Sequence, residues 1–323
     1  MSKAIRINQT GGPEVLKWEE VEVAAPGPGQ VLVRHTAIGV NYSDVYQRKG
    51  MYPMPIPGSL GTEAAGVVEA VGKKVKGFKK GDRVAYMFPV PGAYSEQRLV
   101  PADALIKLPA GVKEDTAAAM IIKGFTTHYL IRRTYKVKKG DWVLIQAAAG
   151  GVGLIMSQWC KYLGAKVIGV VSTADKAKLA KKNGCAHVIL SSADVAAEVK
   201  KITKGKGVDV VYDGVGKDSF IASLDSLRPL GMLVSFGNAS GMIEPFAPIE
   251  LSKRGSLYLT RAGGKEYLSD PKDRAQAAKE LFALVKKKAI KVQIGQRYAL
   301  ADAAQAHIDL EARKTVGSTV LVP

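Results

Sequence analysis

The sequence predicts an α/β protein of two domains, in which a doubly wound parallel sheet accompanies a small, barrel-like β domain. The chain has 323 residues, two to three times the roughly 100–150 residues of a typical domain. Short strands separated by Gly and Pro fill its first hundred residues, whereas strands and helices alternate from about residue 142. These two patterns predict the two domains.

The first domain begins with short strands, and the clearest runs are 31–41, 64–72 and 81–88. Turn-forming groups such as Pro26–Gly29 separate these runs, as the bends of an antiparallel barrel require. Residues 114–133 have helix-forming composition, and we expect Gly124 to bend or break that helix.

In the second domain, apolar strands alternate with helices, which predicts a parallel sheet covered on both faces. The predicted strands are 142–148, 166–172, 187–190, 209–215 and 231–237, and the predicted helices are 153–164, 174–184 and 219–227. The tail holds helices at 273–290 and 301–314 and strands near 291–299 and at 318–323. We assign this tail to the first domain, so the predicted bounds are 1–124, 125–264 and a return segment 265–323.

Composition excludes several classes of protein. A hydrophobic content of 47% with 24% charged residues excludes fibrous and disordered chains. No apolar stretch approaches the roughly 20 residues of a membrane span, and no signal-peptide core is present, so we expect a soluble, cytoplasmic protein. Cys160 and Cys185 form no C-x-x-C pair, which disfavours a disulfide framework and a structural zinc site. A net charge of +18 predicts attraction to nucleotides, nucleic acid or acidic surfaces.

The sharpest local motif is a glycine loop within residues 143–172, where strand, loop, helix and second strand follow in the order of a dinucleotide-binding unit. Residues 148–153 fit G-x-G-x-x-G with Ala148 in the first glycine position. We expect Ala149, Gly150, Gly151 and Val152 to lie against the pyrophosphate, beside the free N–H groups of a helix N-terminus. A tight turn without a ligand is the alternative.

The next strand ends at Val171 without the acidic residue that grips a ribose 2′-hydroxyl. Ser172 and Thr173 follow it, and Lys176 supplies a positive charge, so the sequence favours NADPH over NADH. If the strand ends one residue later, the Asp175 carboxylate faces the ribose and favours NADH. The alternative role of Lys176 is that of a solvated lysine on the helix surface.

The glycine loop and five further segments together resemble the quinone oxidoreductases, or zeta-crystallin-like proteins, of the medium-chain dehydrogenase/reductase superfamily. The five segments are "GVNYSDVYQRKGMYP" (39–53), "LGTEAAGVVEAVG" (60–72), "VVYDGVG" (210–216), "VSFGNASG" (234–241) and "GSLYLTR" (255–261). The resemblance implies a GroES-like β-barrel catalytic domain, a Rossmann-type domain, NADPH in the cleft between them, and a homodimer formed through the strand near 256–261.

Zinc-dependent members of the superfamily carry a catalytic cysteine after the strand that contains residues 35–40 and a histidine beside the glutamate of the segment 61–66. This chain has Asn41 in the first neighbourhood and Thr62 next to Glu63 in the second. The four histidines, His35, His128, His187 and His307, show no paired spacing. We therefore expect no metal. Hydride transfer then requires an acceptor that is already electrophilic, such as a quinone or an enone.

Three residues are the candidate catalytic groups: Asn41, Tyr46 and Tyr52, all of which can donate hydrogen bonds to an acceptor oxygen. Asp44 is placed to orient one of them, and simple packing is the alternative role for the tyrosines. By resemblance, further cofactor contacts fall on Lys123, Thr127, Ser191, Val215, Phe236, Gly237, Ser240 and Arg261. Ser191 stands where relatives often carry a tyrosine.

The sequence thus predicts an NADPH-dependent, zinc-independent quinone oxidoreductase. Two alternatives to this prediction stay open. One is a 2-alkenal or enone double-bond reductase that uses the same hydride donor, and the other is an RNA-binding protein with NADPH affinity. The second is motivated by the charge and by the clusters at 132–140 and 200–207. A structural protein that only retains cofactor affinity is a third possibility.

Overall fold

The computed structural model describes residues 1–87 and 89–323, which divide into two compact units. Unit 1 comprises Met1–Ile122 and Val292–Pro323, and unit 2 comprises Lys123–Lys291. Phe88, at the end of the predicted strand 81–88, lies outside the described residues.

The strands are short, and their bounds are β1 (Ser2–Ile7), β2 (Lys17–Val21), β3 (Gln30–Val40), β4 (Gly58–Ser59), β5 (Glu63–Val71), β6 (Arg83–Met87), β7 (Gln97–Pro101), β8 (Leu105–Lys107), β9 (Trp142–Ile145), β10 (Lys166–Val171), β11 (His187–Leu190), β12 (Val208–Asp213), β13 (Leu227–Ser235), β14 (Tyr258–Arg261), β15 (Ile294–Ala299) and β16 (Ser318–Val322). The α-helices are α1 (Tyr42–Arg48), α2 (Glu114–Ala118), α3 (Ile121–Tyr129), α4 (Gly151–Tyr162), α5 (Ala174–Lys182), α6 (Val195–Ile202), α7 (Phe220–Asp225), α8 (Ile249–Lys253), α9 (Gly264–Leu268), α10 (Pro271–Lys286) and α11 (Ala303–Glu311). No helix in the described part of the chain is long and apolar enough to cross a bilayer.

Unit 1 is built mainly from antiparallel strands. Its larger sheet has the order β15-β16-β3-β5-β6-β8, with β7 also paired to β3, and a smaller sheet has the order β2-β1-β4. The end of the chain returns to this unit, because β16 pairs antiparallel with β3 through Thr319 and Val40. Alternate side chains of β3, such as Val31 and Val33, are fully buried in the core.

Unit 2 is a parallel sheet with the order β11-β10-β9-β12-β13-β14. Its central strand β9 buries Val143, Leu144 and Ile145 completely. A strand with consecutive buried side chains is covered on both faces, so the prediction of a doubly wound, Rossmann-type sheet is confirmed.

The domain bounds differ from those predicted at 124/125 and 264/265. The predicted return segment divides, with residues 265–291 in unit 2 and 292–323 in unit 1. Helix α10 accounts for the difference, because its Asp273 pairs with Arg133 at 2.7 Å and its Leu281 packs against Gly124. These contacts join sequence-distant residues, so the local pattern did not reveal them.

The prediction that Gly124 breaks the helix was wrong. The interruption falls between α2 and α3, at Ala119 and Met120, and Gly124 lies inside α3. A Cβ at Gly124 would collide with the Leu281 side chain, so this glycine permits close helix packing rather than a bend.

Candidate functional site

The glycine loop follows β9, the strand at which the order of the parallel sheet reverses: β10 lies on one side of β9 and β12 on the other. Ligands of open α/β sheets bind at the carboxyl ends of the strands beside such a reversal. Helix α4 starts at Gly151, and its N-cap Gly150 has no side chain to satisfy the free N–H groups of the first turn. The loop is therefore suited to an anion such as a pyrophosphate.

Two backbone features keep this loop tight. A Cβ at Gly153 would lie 2.5 Å from Ala147 O and 2.7 Å from Ala148 Cα, so only glycine fits there. Ala147 has a φ of +52°, in the left-handed region that is rarely occupied by residues other than glycine. Strained residues of this kind cluster at ligand sites, and sequence inspection missed Ala147 because alanine itself carries no turn signal.

The cofactor contacts predicted in unit 2 gather largely along one edge of the sheet. Ser172 follows β10, and Ser191 follows β11, where its N–H donates to Val171 O at 2.8 Å. Val215 follows β12, Phe236 and Gly237 follow β13, and Arg261 ends β14. Because the strands are parallel, all these residues lie at carboxyl ends, together with the glycine loop.

The loops after β12 and β13 are joined to each other. Ser240 donates its backbone N–H to Val215 O at 2.8 Å, and its hydroxyl donates to the same oxygen at 2.9 Å. A Cβ at Gly237 would collide with the backbone of Gly214, so the two loops approach as closely as glycine allows. Val215 and Ser240 are therefore held as one surface.

Asp213, at the end of β12, organises this surface and was missed in the sequence. Its buried carboxylate accepts hydrogen bonds from the N–H groups of Val215 (2.8 Å) and Gly216 (3.1 Å). The hydroxyls of Ser219 and Ser223 donate to it at 2.7 Å. The only sequence signal was an acidic residue at the carboxyl end of a mostly apolar strand.

At the end of β10, Thr173 caps helix α5, and its Oγ1 accepts from the backbone N–H of Lys176 at 3.3 Å. Ser172 and Thr173 are exposed, and Lys176 is half-buried. The exposed carboxylate of Asp175 lies 3.0 Å from Lys178 Nζ. This ion pair gives Asp175 a partner on its own helix, whereas Ser172 and Lys176 present a hydroxyl and a charge that suit a phosphate.

Lys123 and Thr127 lie on α3, and both are buried. The hydroxyl of Thr127 donates to Lys123 O at 2.9 Å, one helical turn earlier. The hydroxyl hydrogen is used in this bond, so any contact of Thr127 with a cofactor would involve its remaining acceptor capacity.

In unit 1, two carboxylate side chains hold Asn41 at the N-cap of α1. Asn41 N–H donates to Asp44 Oδ2 at 2.8 Å, and Asn41 Nδ2 donates to Glu63 Oε1 at 2.8 Å. Glu63 is fully buried on β5, and its other oxygen accepts from Ile122 N at 2.7 Å. Both oxygens of Glu63 accept hydrogen bonds from N–H groups, so the nitrogen of the Asn41 amide faces Glu63, which fixes the orientation of the amide.

The two candidate tyrosines differ in exposure. Tyr46 is buried on α1, and Tyr52 is 38% exposed. Their rings meet edge to face with centroids 5.1 Å apart, and Tyr42 lies 6.0 Å from Tyr46. The structure thus brings the rings of Tyr46 and Tyr52 into contact, and Asn41 caps the helix that carries Tyr46.

Within residues 1–87 and 89–323, no group of three or more His, Cys, Asp or Glu side chains is placed to hold a metal ion. The histidines make other contacts: those of His35, His128, His187 and His307 are with Tyr86, Glu280, Trp142 and Tyr94, respectively. Cys160 and Cys185 are buried, and burial raises the pKa of both thiols, to about 11 for Cys185.

Comparison with known proteins agrees with this architecture. Residues 27–110 match the family described as "Alcohol dehydrogenase GroES-like domain", and residues 151–281 match "Zinc-binding dehydrogenase". A quinone oxidoreductase of Pseudomonas aeruginosa is 49% identical over the full length of both chains. The chain belongs to the quinone oxidoreductase family of the medium-chain dehydrogenase/reductase superfamily. A 2-haloacrylate reductase of a Burkholderia species is 47% identical, across 100% of this chain and 99% of the relative.

Solved structures of the family share the fold over the whole chain. The quinone oxidoreductase of Escherichia coli, solved in complex with NADPH, has a TM-score of 0.97 at 46% identity, covering 99% of this chain and 100% of that one. A mycobacterial protein complexed with NADPH has a TM-score of 0.96 at 45% identity, with the same coverage. The predicted fold class, a Rossmann-type domain with a GroES-like domain, is confirmed.

Proposed function

We propose that this chain is an NADPH-dependent quinone oxidoreductase that works without zinc. The glycine loop at the strand-order reversal is the observation that carries the proposal, since it supplies an uncapped helix N-terminus at the carboxyl edge of a parallel sheet. The names of the relatives point to the same activity.

The residues of unit 2 suit a dinucleotide. Ala149 to Val152 line the pyrophosphate, and the N–H groups of the first turn of α4, from Gly151 on, face it, whereas the Gly150 N–H donates to Ala147 O at 2.9 Å. Gly153 keeps the helix close to the strand. Val215, Phe236, Gly237 and Ser240 are held together by the bonds between the loops after β12 and β13, and they support the nicotinamide half. Ser191 and Arg261 flank this row at the same edge of the sheet.

NADPH, rather than NADH, is the cofactor that the end of β10 favours. Ser172 supplies a hydroxyl and Lys176 a positive charge for the 2′-phosphate, whereas Asp175 is paired with Lys178. The NADPH complexes of the relatives support the same assignment.

When bound, the reduced nicotinamide supplies a hydride to the acceptor. Negative charge then develops on the acceptor oxygen, and hydrogen-bond donors at that oxygen lower the barrier. Asn41, Tyr46 and Tyr52 are the proposed donors, and Glu63 fixes the orientation of the Asn41 amide. Lys123 and Thr127 on α3 are proposed to contact the cofactor.

A double-bond reductase is the second candidate, because the 2-haloacrylate reductase is nearly as similar to this chain as the quinone oxidoreductases are. Both reactions deliver a hydride to an electrophilic conjugated system. The test is the turnover of an ortho-quinone compared with that of a 2-alkenal or a 2-haloacrylate at matched NADPH. A faster reaction with the quinone supports our proposal, and a slower one favours the double-bond reductase.

RNA binding is the weaker alternative, because the arginines of the 132–140 cluster already have acidic partners. Arg133 pairs with Asp273 at 2.7 Å, and Arg132 lies 3.4 Å from Glu280. A paired guanidinium contributes less to phosphate binding than a solvated one. RNA affinity that survives moderate salt and is reversed by NADPH would revive this alternative.

We further propose a cytoplasmic homodimer. The last strand of the parallel sheet, β14, pairs on one side only among the described residues, and its Tyr258 is 57% exposed. Pairing of β14 with its copy across a two-fold axis would continue the sheet and cover this edge. A monomer in sedimentation measurements would contradict the dimer.

A further inference from the structure

A series of buried polar side chains in unit 1 connects helix α11 with Asn41. Asp44, Arg48, Tyr94 and His307 are all fully buried. Arg48 Nη1 lies 3.2 Å from His307 Nδ1, and His307 Nε2 lies 3.0 Å from Tyr94 OH. Tyr94 OH donates to Asp44 Oδ2 at 3.0 Å, and the same oxygen accepts from Asn41 N at 2.8 Å.

The direction of these hydrogen bonds follows from their chemistry. A guanidinium only donates, so His307 Nδ1 accepts from Arg48, and a neutral imidazole must then carry its hydrogen on Nε2. Burial, followed by the charge of Arg48, lowers the pKa of His307 to about 3, so the ring is neutral near pH 7. His307 therefore donates to Tyr94, and the Tyr94 hydroxyl donates to Asp44.

Buried charged and polar side chains of this kind often stabilise the folded state less than an apolar core would. Charged and polar groups lose hydration when buried, and well-packed apolar side chains of similar volume are often as stabilising or more so. The four residues come from separate parts of the chain, α1, the segment before β7, and α11. They converge on the backbone of Asn41, the residue proposed to contact the cofactor or the acceptor.

We propose that Arg48, His307, Tyr94 and Asp44 form a positioning relay that holds Asn41 in the geometry required for hydride transfer. They are positioning residues, because they act through Asn41. The inference rests on the proposed function. Removing the Tyr94 hydroxyl separates His307 from Asp44, so Asp44 loses one of the donors that fix the carboxylate against the Asn41 N–H.

The test compares Tyr94→Phe with the matched control Tyr86→Phe. Both tyrosines are fully buried in the same core, and each hydroxyl meets an imidazole, at 3.0 Å for Tyr94 with His307 and 2.9 Å for Tyr86 with His35. Each variant therefore removes one buried hydroxyl and its hydrogen bond to a histidine, but only Tyr94→Phe changes the relay.

Three quantities are measured on the full chain: kcat and KM for a quinone, the NADPH dissociation constant by fluorescence, and the ¹⁵N–¹H resonance of the Asn41 backbone amide. We expect Tyr94→Phe to lower kcat roughly tenfold, as loss of precise orientation does, with the NADPH constant within about twofold of wild type. The Asn41 resonance should shift. Tyr86→Phe should leave kcat and the resonance unchanged.

Equal losses of kcat in the two variants, or an unshifted Asn41 resonance in Tyr94→Phe, would overturn the relay. If Tyr94→Phe does not fold, His307→Gln replaces it, since a glutamine amide can accept from Arg48 and donate to Tyr94. His307→Leu, which can neither accept nor donate, is compared with it. A higher kcat in His307→Gln than in His307→Leu supports the relay, and equal kcat values in the two variants overturn it. If the wild-type chain reduces no quinone, the proposed function fails, while the resonance still decides whether the relay orders Asn41.

Discussion

Gly153 is the position where one added methyl group should most directly damage the nucleotide loop. In Gly153→Ala, the new Cβ would lie 2.5 Å from Ala147 O, 2.7 Å from Ala148 Cα and 2.8 Å from Ala148 C. All three are backbone atoms, so no side-chain rotation relieves the collision. Only movement of the loop that carries Gly150 and Gly151 can do so.

Two opposing terms set the size of the effect. Alanine is favoured over glycine inside a helix by about 1 kcal/mol. Overpacking in a filled site costs about 1–3 kcal/mol, and the rigid backbone neighbours of Gly153 point to the upper part of that range. We therefore expect a net loss of stability of about 1–2 kcal/mol. The displaced N–H groups should also raise the NADPH dissociation constant about tenfold, or 1.4 kcal/mol.

Fluorescence titration with NADPH and urea unfolding measure these two effects. Gly264→Ala is the matched control, because Gly264 opens helix α9 of the same unit and its added Cβ would meet Tyr129 at an ordinary 3.8 Å. The control should bind NADPH like wild type. A Gly153→Ala variant that is more stable than wild type and binds NADPH equally well would refute the close-approach argument.

Three further outcomes are expected. Lys176→Ala should raise KM for NADPH roughly tenfold and leave KM for NADH nearly unchanged, with Lys182→Ala, an exposed lysine of the same helix, as control; equal effects on both nucleotides would exclude the 2′-phosphate assignment. The free energy of unfolding should fall as pH drops from about 6.5 to 4, by about 1.4 kcal/mol per pH unit for each neutral buried histidine, because burial lowers the pKa of His35 to about 4 and of His307 to about 3. Urea titrations at pH 7, 6 and 5 measure this, and a flat profile contradicts it. A chelator should leave quinone reduction intact, whereas a loss restored by zinc would exclude a zinc-free reaction.

Local sequence patterns predicted the parallel sheet and the glycine loop because both depend on neighbouring residues. Uniform apolar runs identify strands covered on both faces, and the spacing of Gly150, Gly151 and Gly153 identifies the turn into α4. The order of the six strands in the sheet, in contrast, does not depend on neighbouring residues alone. It depends on which strands pair in space, and no local pattern of the sequence specifies that pairing.

Contacts between distant residues explain what sequence inspection missed. Asn41 and Glu63 belong to separate elements, and only the pairing of β3 with β5 makes their hydrogen bond possible. The predicted domain bound at 264/265 differs from the observed end of unit 2 at Lys291 because of another contact between distant residues. Leu281 of α10 packs on Gly124, more than 150 positions earlier in the chain. Hydrophobic periodicity identifies the buried face of a helix, but it does not show which part of the protein that face packs against.

In the proposed reaction, the orientation of the Asn41 amide limits which acceptors it can assist. The amide nitrogen faces Glu63, whose buried carboxylate is occupied by the N–H groups of Asn41 and Ile122. Such a carboxylate anchors a neutral hydrogen-bonding side chain and does not itself polarise a carbonyl. Hydrogen bonds stabilise a developing oxyanion but activate an unconjugated carbonyl less than a Lewis acid does. Acceptors whose conjugation already makes them electrophilic, such as quinones and activated double bonds, therefore suit these side chains better than simple aldehydes or ketones.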